Sequence, residues 1–309
     1  MKRTIEQLRR DALRIWRRGV EAVGSEHLVR KNVKVHGHRL WVGGESFNLN
    51  SVRRIAVVGA GKAGAGMAAG LEQALGPKVI ADKQLAGWVH VPDDCARPLA
   101  AIHLHAARPP GVNEPTPAGV EGSREMLRLA GSLDEDDLCI ALISGGGSAL
   151  LPCPIDGISL DDKLAVTRFL SAAGAPIEDL NAVRRQLSRI KGGNLARACR
   201  AGNLVSLIIS DVLGDPLDLI ASGPTVENHA TAEQALAVLE RYGAREAGLS
   251  PKLFDILGRR SNQTPEPIRT RVTNLVIGNN ALAVEAAAVE AERLGYAPAK
   301  TSAKASEGP

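Results

Sequence analysis

Three stretches hold residues whose types and spacing could do chemistry, and each follows an apolar run. In "IAVVGAGKAGAGMA", residues 55–68, the turn reads glycine, any, glycine, any, any, glycine, with Lys62 inside it. Gly59 and Gly61 would let the backbone approach a pyrophosphate. Asp82 follows Gly59 at roughly the distance at which dinucleotide folds set a ribose-binding acid, so NAD is one ligand the pattern admits. Lys62 argues for another, because an ammonium in such a turn could reach a transferring phosphoryl group. Close backbone packing beside a solvated lysine is the plain alternative.

In "ALISGGGSALLP", residues 141–152, Gly145, Gly146 and Gly147 stand between Ser144 and Ser148. Glycines permit positive φ, so successive N–H groups can converge on one anion while serine hydroxyls add donors. This cradle suits a phosphate or a carboxylate, although a glycine turn of purely structural use reads the same. It is not a Walker A loop, since no Gly-Lys-Ser/Thr follows. In "LIISDVLGDPLDLIASGPT", residues 207–225, Asp211 stands just past an apolar strand, where carboxylates that hold Mg²⁺ or accept a proton lie in open α/β sheets. Asp215 is a second candidate metal ligand, Asp218 is expected to cap a turn, and Ser222, Gly223 and Thr225 form another polar bend. Within "NAVRRQLSRIKGGNLARA", residues 181–198, Arg184, Ser188 and Lys191 recur at helical spacing beside an apolar stripe of Leu180, Val183, Leu187 and Ile190. Lys191 is expected to end that helix. There it either complements the dipole or joins Arg184 and the glycine pair in gripping a carboxylate or phosphate.

These turns need strands to carry them. Strands are expected at 55–58, 85–91, 101–105, 138–143, 204–209 and 273–277, with helices at 117–130, 160–173, 177–190, 231–242 and 281–294 between most of them. Ala63, Met67, Leu71 and Ala74 add a helical stripe after the first turn. Alternation of strand and helix implies an α/β fold, a doubly wound, mostly parallel, Rossmann-like three-layer sheet. Ahead of it, Ile5, Leu8, Ala12, Ile15 or Trp16, Val20 and Val23 predict a helix with one apolar face. Residues 31–49 alternate around His36-Gly37-His38 as in a hairpin. That H-x-H pair, and His103-x-His105, lack the further ligands that most metal sites need. The polar, proline-bearing segment 258–271 reads as a linker, which divides the chain into 1–265 and the start of a second α/β domain at 266–309.

A chain of 309 residues, 44% hydrophobic, can bury a sizeable core. Cys95, Cys139, Cys153 and Cys199 are widely spaced and lie in or beside apolar stretches, which predicts reduced thiols and a cytoplasmic setting. No run is apolar enough to cross a membrane, and Glu6, Asp11 and Glu21 interrupt the arginine-rich start that a targeting segment would keep acid-free. A net charge of +4 admits nucleic acid, yet at 3% aromatics a base-stacking surface is not expected. Small anionic substrates suit the charge better.

In order, "VVGAGKAGAGMA", "RPPGVNEPT", "LISGGGSALL", "NAVRRQLSRIKGGNLA" and "SDVLGDPLDLIASGPT" make the chain resemble class II glycerate 2-kinases, the family whose second domain is called MOFRL. The resemblance runs from the first helix almost to Pro309. It implies ATP-dependent phosphorylation of D-glycerate at its 2-hydroxyl, with Mg²⁺, in a cleft between two α/β domains, and a catalytic role for Lys62. On that reading the glycine-rich backbone at residues 144–148 would hold phosphate or the glycerate carboxylate. Asp211 would bind Mg²⁺ or accept the hydroxyl proton. Some relatives are labelled hydroxypyruvate reductases, so a nicotinamide-dependent reductase is the alternative, and a catalytically silent nucleotide-binding fragment a third. The family's chains continue past the position of Pro309, and only the first strand and helix of their second domain match here. Truncation is therefore expected, with association into a homo-oligomer or with a complementing C-terminal chain.

Overall fold

Two strands, Ile55–Ala60 and Leu138–Ser144, are buried at every position, as the central strands of a parallel sheet covered on both faces must be. The computed structural model, which describes residues 3–227, 230–261 and 266–299, builds outward from them. The chain opens with α1 (Ile5–Ala22) and α2 (Ser25–Asn32), then β1 (Val33–His36), β2 (Arg39–Val42) and β3 (Glu45–Asn48). The first half of the main sheet follows: β4 (Ile55–Ala60), α3 (Gly64–Asp82, kinked at Gly76), β5 (Ala86–Pro92), β6 (Ile102–Arg108) and α4 (Pro117–Gly131). Next come β7 (Leu138–Ser144), the short α5 (Gly147–Leu150), α6 (Leu160–Ala172), α7 (Ile177–Gln186) and α8 (Asn194–Ala198). The described chain closes with β8 (Asn203–Ile209), α9 (Ala232–Arg241), α10 (Pro251–Arg260), β9 (Arg271–Gly278) and α11 (Asn280–Arg293).

The main sheet has the order β6-β5-β4-β7-β8-β9, and every pairing is parallel. The chain starts in the middle, winds to one edge, returns, and winds to the other, so the expected doubly wound α/β fold is present. Its winding reverses between β4 and β7, the switch point at which open α/β sheets carry their ligand sites. Alternate residues of β4 serve the two faces. Ile55 and Val57 join the core with Met67 and Leu71 of α3 and with β1–β2, whereas Ala56 and Val58 join Met126 of α4 and Leu195 of α8. A third core, Val166, Leu170, Val183, Leu239, Leu253 and Leu257, is formed by α6, α7, α9 and α10. Sidechain caps fix several helix starts: Thr116 accepts from the Gly119 N–H, and Ser159 and Thr231 build capping boxes.

The structure departs from expectation in several places. Helix α7 stops at Gln186 rather than reaching 190, and the hairpin is a three-stranded antiparallel sheet. The expected linker begins inside α10, and residues 262–265 of it lie outside the described residues, as does the tail from 300. The strand and helix expected to open a second domain are continuous with the first: β9 pairs with β8, with one irregularity between Ile208 and Ile209, and α11 packs on α1. The apolar stripe of α1 is largely at the surface, with Ile5 70% and Trp16 63% exposed. What α1 buries against α11 is Gly19, where an added methyl would come 2.9 Å from the Ala283 carbonyl.

Candidate functional site

The first two turns interlock at the switch point between β4 and β7. The Lys62 N–H donates to the Gly145 carbonyl at 2.9 Å, and the Ala63 N–H donates to Ser144 Oγ at 3.1 Å. The Gly61 N–H donates to the His90 carbonyl (3.2 Å) and that of Gly64 to the Gly61 carbonyl (3.0 Å). All four N–H groups of this turn are thus committed within the protein. Gly59 and Gly61 are buried for the same reason. A methyl on Gly59 would overlap the Leu142 carbonyl, and one on Gly61 would overlap Ser144 Oγ and lie 2.7 Å from its carbonyl oxygen. The glycine pattern therefore serves close approach of β4 to β7, and Gly59 and Gly61 offer no free donor to a pyrophosphate. Asp82 is the last residue of α3, which runs from the carboxyl edge back to the start of β5. That places it away from the edge where a ribose acid must stand.

What remains open at this point is the side chain of Lys62, an exposed residue. Its stem lies over Gly146. A methyl built there would sit 3.1 Å from Lys62 Cγ and Cε and 3.5 Å from Nη2 of Arg108. Gly146 adopts φ +79°, a left-handed conformation, and starts α5 without a side-chain cap, so the leading N–H groups of α5 carry no side-chain acceptor. On the adjacent residue, a methyl on Gly145 would overlap the carboxylate of Asp211. Asp211 is exposed and follows β8. Lys62, Arg108 and Asp211 thus border neighbouring glycines of one turn.

The third turn is tied to the second through a buried knot. Ser148 Oγ and Ser222 Oγ are 3.0 Å apart, and Ser222 Oγ donates to Asn181 Oδ1 at 3.3 Å. Lys191 Nζ donates to the Ser148 carbonyl at 2.6 Å and to Ser222 Oγ at 3.5 Å. Ala221 and Ser222 hold positive φ of 52° and 62°, a conformation costly for residues with a Cβ. Lys191 does not end a helix, because α7 has already stopped. It is 3% exposed, and burial, reinforced by Lys163, Arg184 and Arg185, holds its ammonium well below the usual lysine range. Arg184 parts company with it and donates to Thr167 Oγ1 of α6 at 3.4 Å.

The aspartates separate likewise. Asp215 accepts from Asn279 Nδ2 at 2.6 Å, and Asp218 pairs with Arg185 at 3.0 Å instead of capping a turn. Among the described residues no group of three His, Cys, Asp or Glu could hold a metal. His103 and His105 stack with Trp88, their centroids 4.2 and 5.2 Å from its ring. The four cysteines are free thiols.

Sequence reasoning missed Arg108 and Lys163. Arg108 is the first residue of "RPPGVNEPT" and ends β6, so its position past an apolar strand was the available signal. Lys163 carries no such mark. It is buried in α6, donates to the Leu187 carbonyl at 2.9 Å, and is pushed by burial to about 7. A surface groove of about 900 Å³ runs along α1 and α11 between Arg10, Arg14, Arg17, Arg18 and Arg293, and contains none of the turn residues.

A family profile described as a domain of unknown function, DUF4147, matches residues 11–257. The chain is 40% identical over 297 residues to a glycerate kinase of Danio rerio, an alignment covering 90% of this chain and 58% of that protein. It is 40% identical over 247 residues to a putative hydroxypyruvate reductase of Agrobacterium vitis, covering 79% and 60%. Its fold matches the crystal structure of a glycerate kinase from Thermotoga maritima with a TM-score of 0.76 and 31% identity, covering 94% of this chain and 63% of that one. The chain spans about six tenths of the length of these curated relatives.

Proposed function

This chain belongs to the DUF4147 family, and on that premise we propose that it carries the phosphoryl-transfer face of a glycerate kinase acting on D-glycerate and ATP. One observation carries the reading: at the switch point of the sheet, the Lys62 stem lies over Gly146 while the Asp211 carboxylate lies against Gly145. Phosphoryl transfer asks chiefly for positioning and for positive charge near the equatorial oxygens. Lys62 supplies that charge from an exposed residue that a nucleotide can approach. Ser144, whose Oγ is already held by the Ala63 N–H, fixes the two turns against each other. Ser148 and Lys191 act one layer deeper and hold the glycine turn on the Ser222 bend.

Mg²⁺ bound with ATP would neutralise phosphate charge. Such ions need only one or two carboxylates beside phosphates and water. Asp211, with no hydrogen bond or ion pair among the described residues, fits that donor set or the role of proton acceptor for the attacking hydroxyl. Asp215 is occupied by Asn279. The reductase name borne by Agrobacterium vitis relatives finds less support in this site, because the turn that would hold a nicotinamide pyrophosphate has spent its N–H groups.

The test is formation of 2-phosphoglycerate and ADP by the purified chain with D-glycerate, ATP and Mg²⁺. Lys62→Met should lower kcat by at least about a hundredfold, the scale of removing one charge-stabilising donor, with the melting temperature unchanged. Full activity in that variant would remove Lys62 from the chemistry. ATP binding without turnover would identify a silent fragment, and oxidation of NADH by hydroxypyruvate would favour the reductase.

A further inference from the structure

Arg108 ends β6 at the carboxyl edge of the sheet and is 4% exposed, yet its Nε is buried without a hydrogen-bond partner. Among the described residues no carboxylate lies within ion-pair distance of it. Three partly buried arginines, by contrast, each have a carboxylate partner. Arg54 meets Asp137 at 2.6 Å, Arg185 meets Asp218 at 3.0 Å, and Arg197 meets Glu227 at 3.6 Å. A guanidinium buried without an anion is left uncompensated by the resting fold, which points to a ligand as its partner. Its Nη2 faces the methyl position of Gly146, on the same spot as the Lys62 stem.

We propose that Arg108 binds the carboxylate of the acceptor acid and thereby selects hydroxy acids over simple alcohols; this rests on the kinase reading above. The planar fork of arginine matches a carboxylate with two parallel N–H···O bonds, which the point charge of a lysine cannot reproduce. Depth divides the two cations. Arg108 is buried and suits a three-carbon acid, whereas Lys62 stands at the exposed rim and suits the phosphates of a larger nucleotide. Gly146, lacking a side chain, leaves the space between them.

The experiment titrates the full chain by calorimetry with D-glycerate, glycerol, lactate and ATP, for the wild type and for Arg108→Gln and Arg108→Lys. In the glutamine variant D-glycerate affinity should fall tenfold to a hundredfold, and in the lysine variant by an intermediate factor, while ATP affinity changes less than threefold. Wild-type affinity for glycerol should be at least tenfold weaker than for D-glycerate. Retained D-glycerate affinity in a folded glutamine variant overturns the inference, and loss of ATP in its place reassigns Arg108 to the phosphates. Should the glutamine variant not fold, unchanged D-glycerate binding by the lysine variant overturns the fork argument equally. If the wild type binds lactate but not D-glycerate, and Arg108→Gln abolishes that binding, the kinase reading fails while the carboxylate assignment stands. A wild type that binds neither acid overturns it.

Discussion

Replacing Gly146 by alanine separates what the glycine does for the fold from what it does for a ligand. Its φ of +79° makes any Cβ cost about 1–2 kcal/mol. The new methyl would lie 3.1 Å from two carbons of the Lys62 stem, which is exposed and can give way, and 3.5 Å from Arg108 Nη2, an ordinary contact. Little steric cost therefore adds to the backbone cost. At roughly 0.6 kcal/mol per degree for a chain of this length, melting should drop by about 2–3 °C. Ligand binding should suffer more, because the methyl occupies the space between the two cations. A displacement worth about 1.4 kcal/mol is tenfold in affinity. Gly174→Ala is the control: φ is +73° there with nothing within 4 Å, so the stability loss should match and ATP affinity should not move. Scanning calorimetry gives the melting shift and titration calorimetry the affinity. If both variants lose the same stability and Gly146→Ala binds both ATP and D-glycerate like the wild type, no anion sits over Gly146, and the convergence of the turns is packing alone.

Gly61→Ala should act on the fold instead, with a loss of about 3 kcal/mol from backbone conformation and overpacking together. Combining it with Ser144→Ala should recover little, since the Ser144 carbonyl 2.7 Å from the new methyl remains; denaturant titration of the single and double variants reads both. His90 is fully buried, its Nδ1–H donates to the Leu150 carbonyl at 2.6 Å, and burial lowers it to about 4 against 6.5 in the unfolded chain. The unfolded state therefore takes up a proton that the folded state refuses. Its contribution is complete above pH 6.5 and is lost as pH falls toward 4, by about 3 kcal/mol in all. His90→Asn, which keeps a donor without titrating, should flatten the stability profile between those values. An unchanged slope would refute the assignment.

The alternation of strands and helices, the glycine turns at strand ends and Lys62 in the first of them were legible in the sequence, because each is a local pattern: a period, a run of small residues, a turn before a helix. Local patterns also misled. The apolar stripe of α1 satisfies helical periodicity, yet most of it faces outward because α11 covers the side that carries Gly19. The spacing of Arg184, Ser188 and Lys191 suits one helix, but the chain leaves the helix at Gln186 and sends Lys191 inward. By itself the sequence determined a doubly wound sheet with anion-suited bends at one edge. Only the tertiary structure decided which N–H groups were already spent, that Asp211 stays unpaired while Asp215 does not, and that Arg108 is buried without an anion. The physical reason is distance along the chain. Ser148 and Ser222 are 74 residues apart, and whether a polar group is satisfied depends on partners that no local window contains.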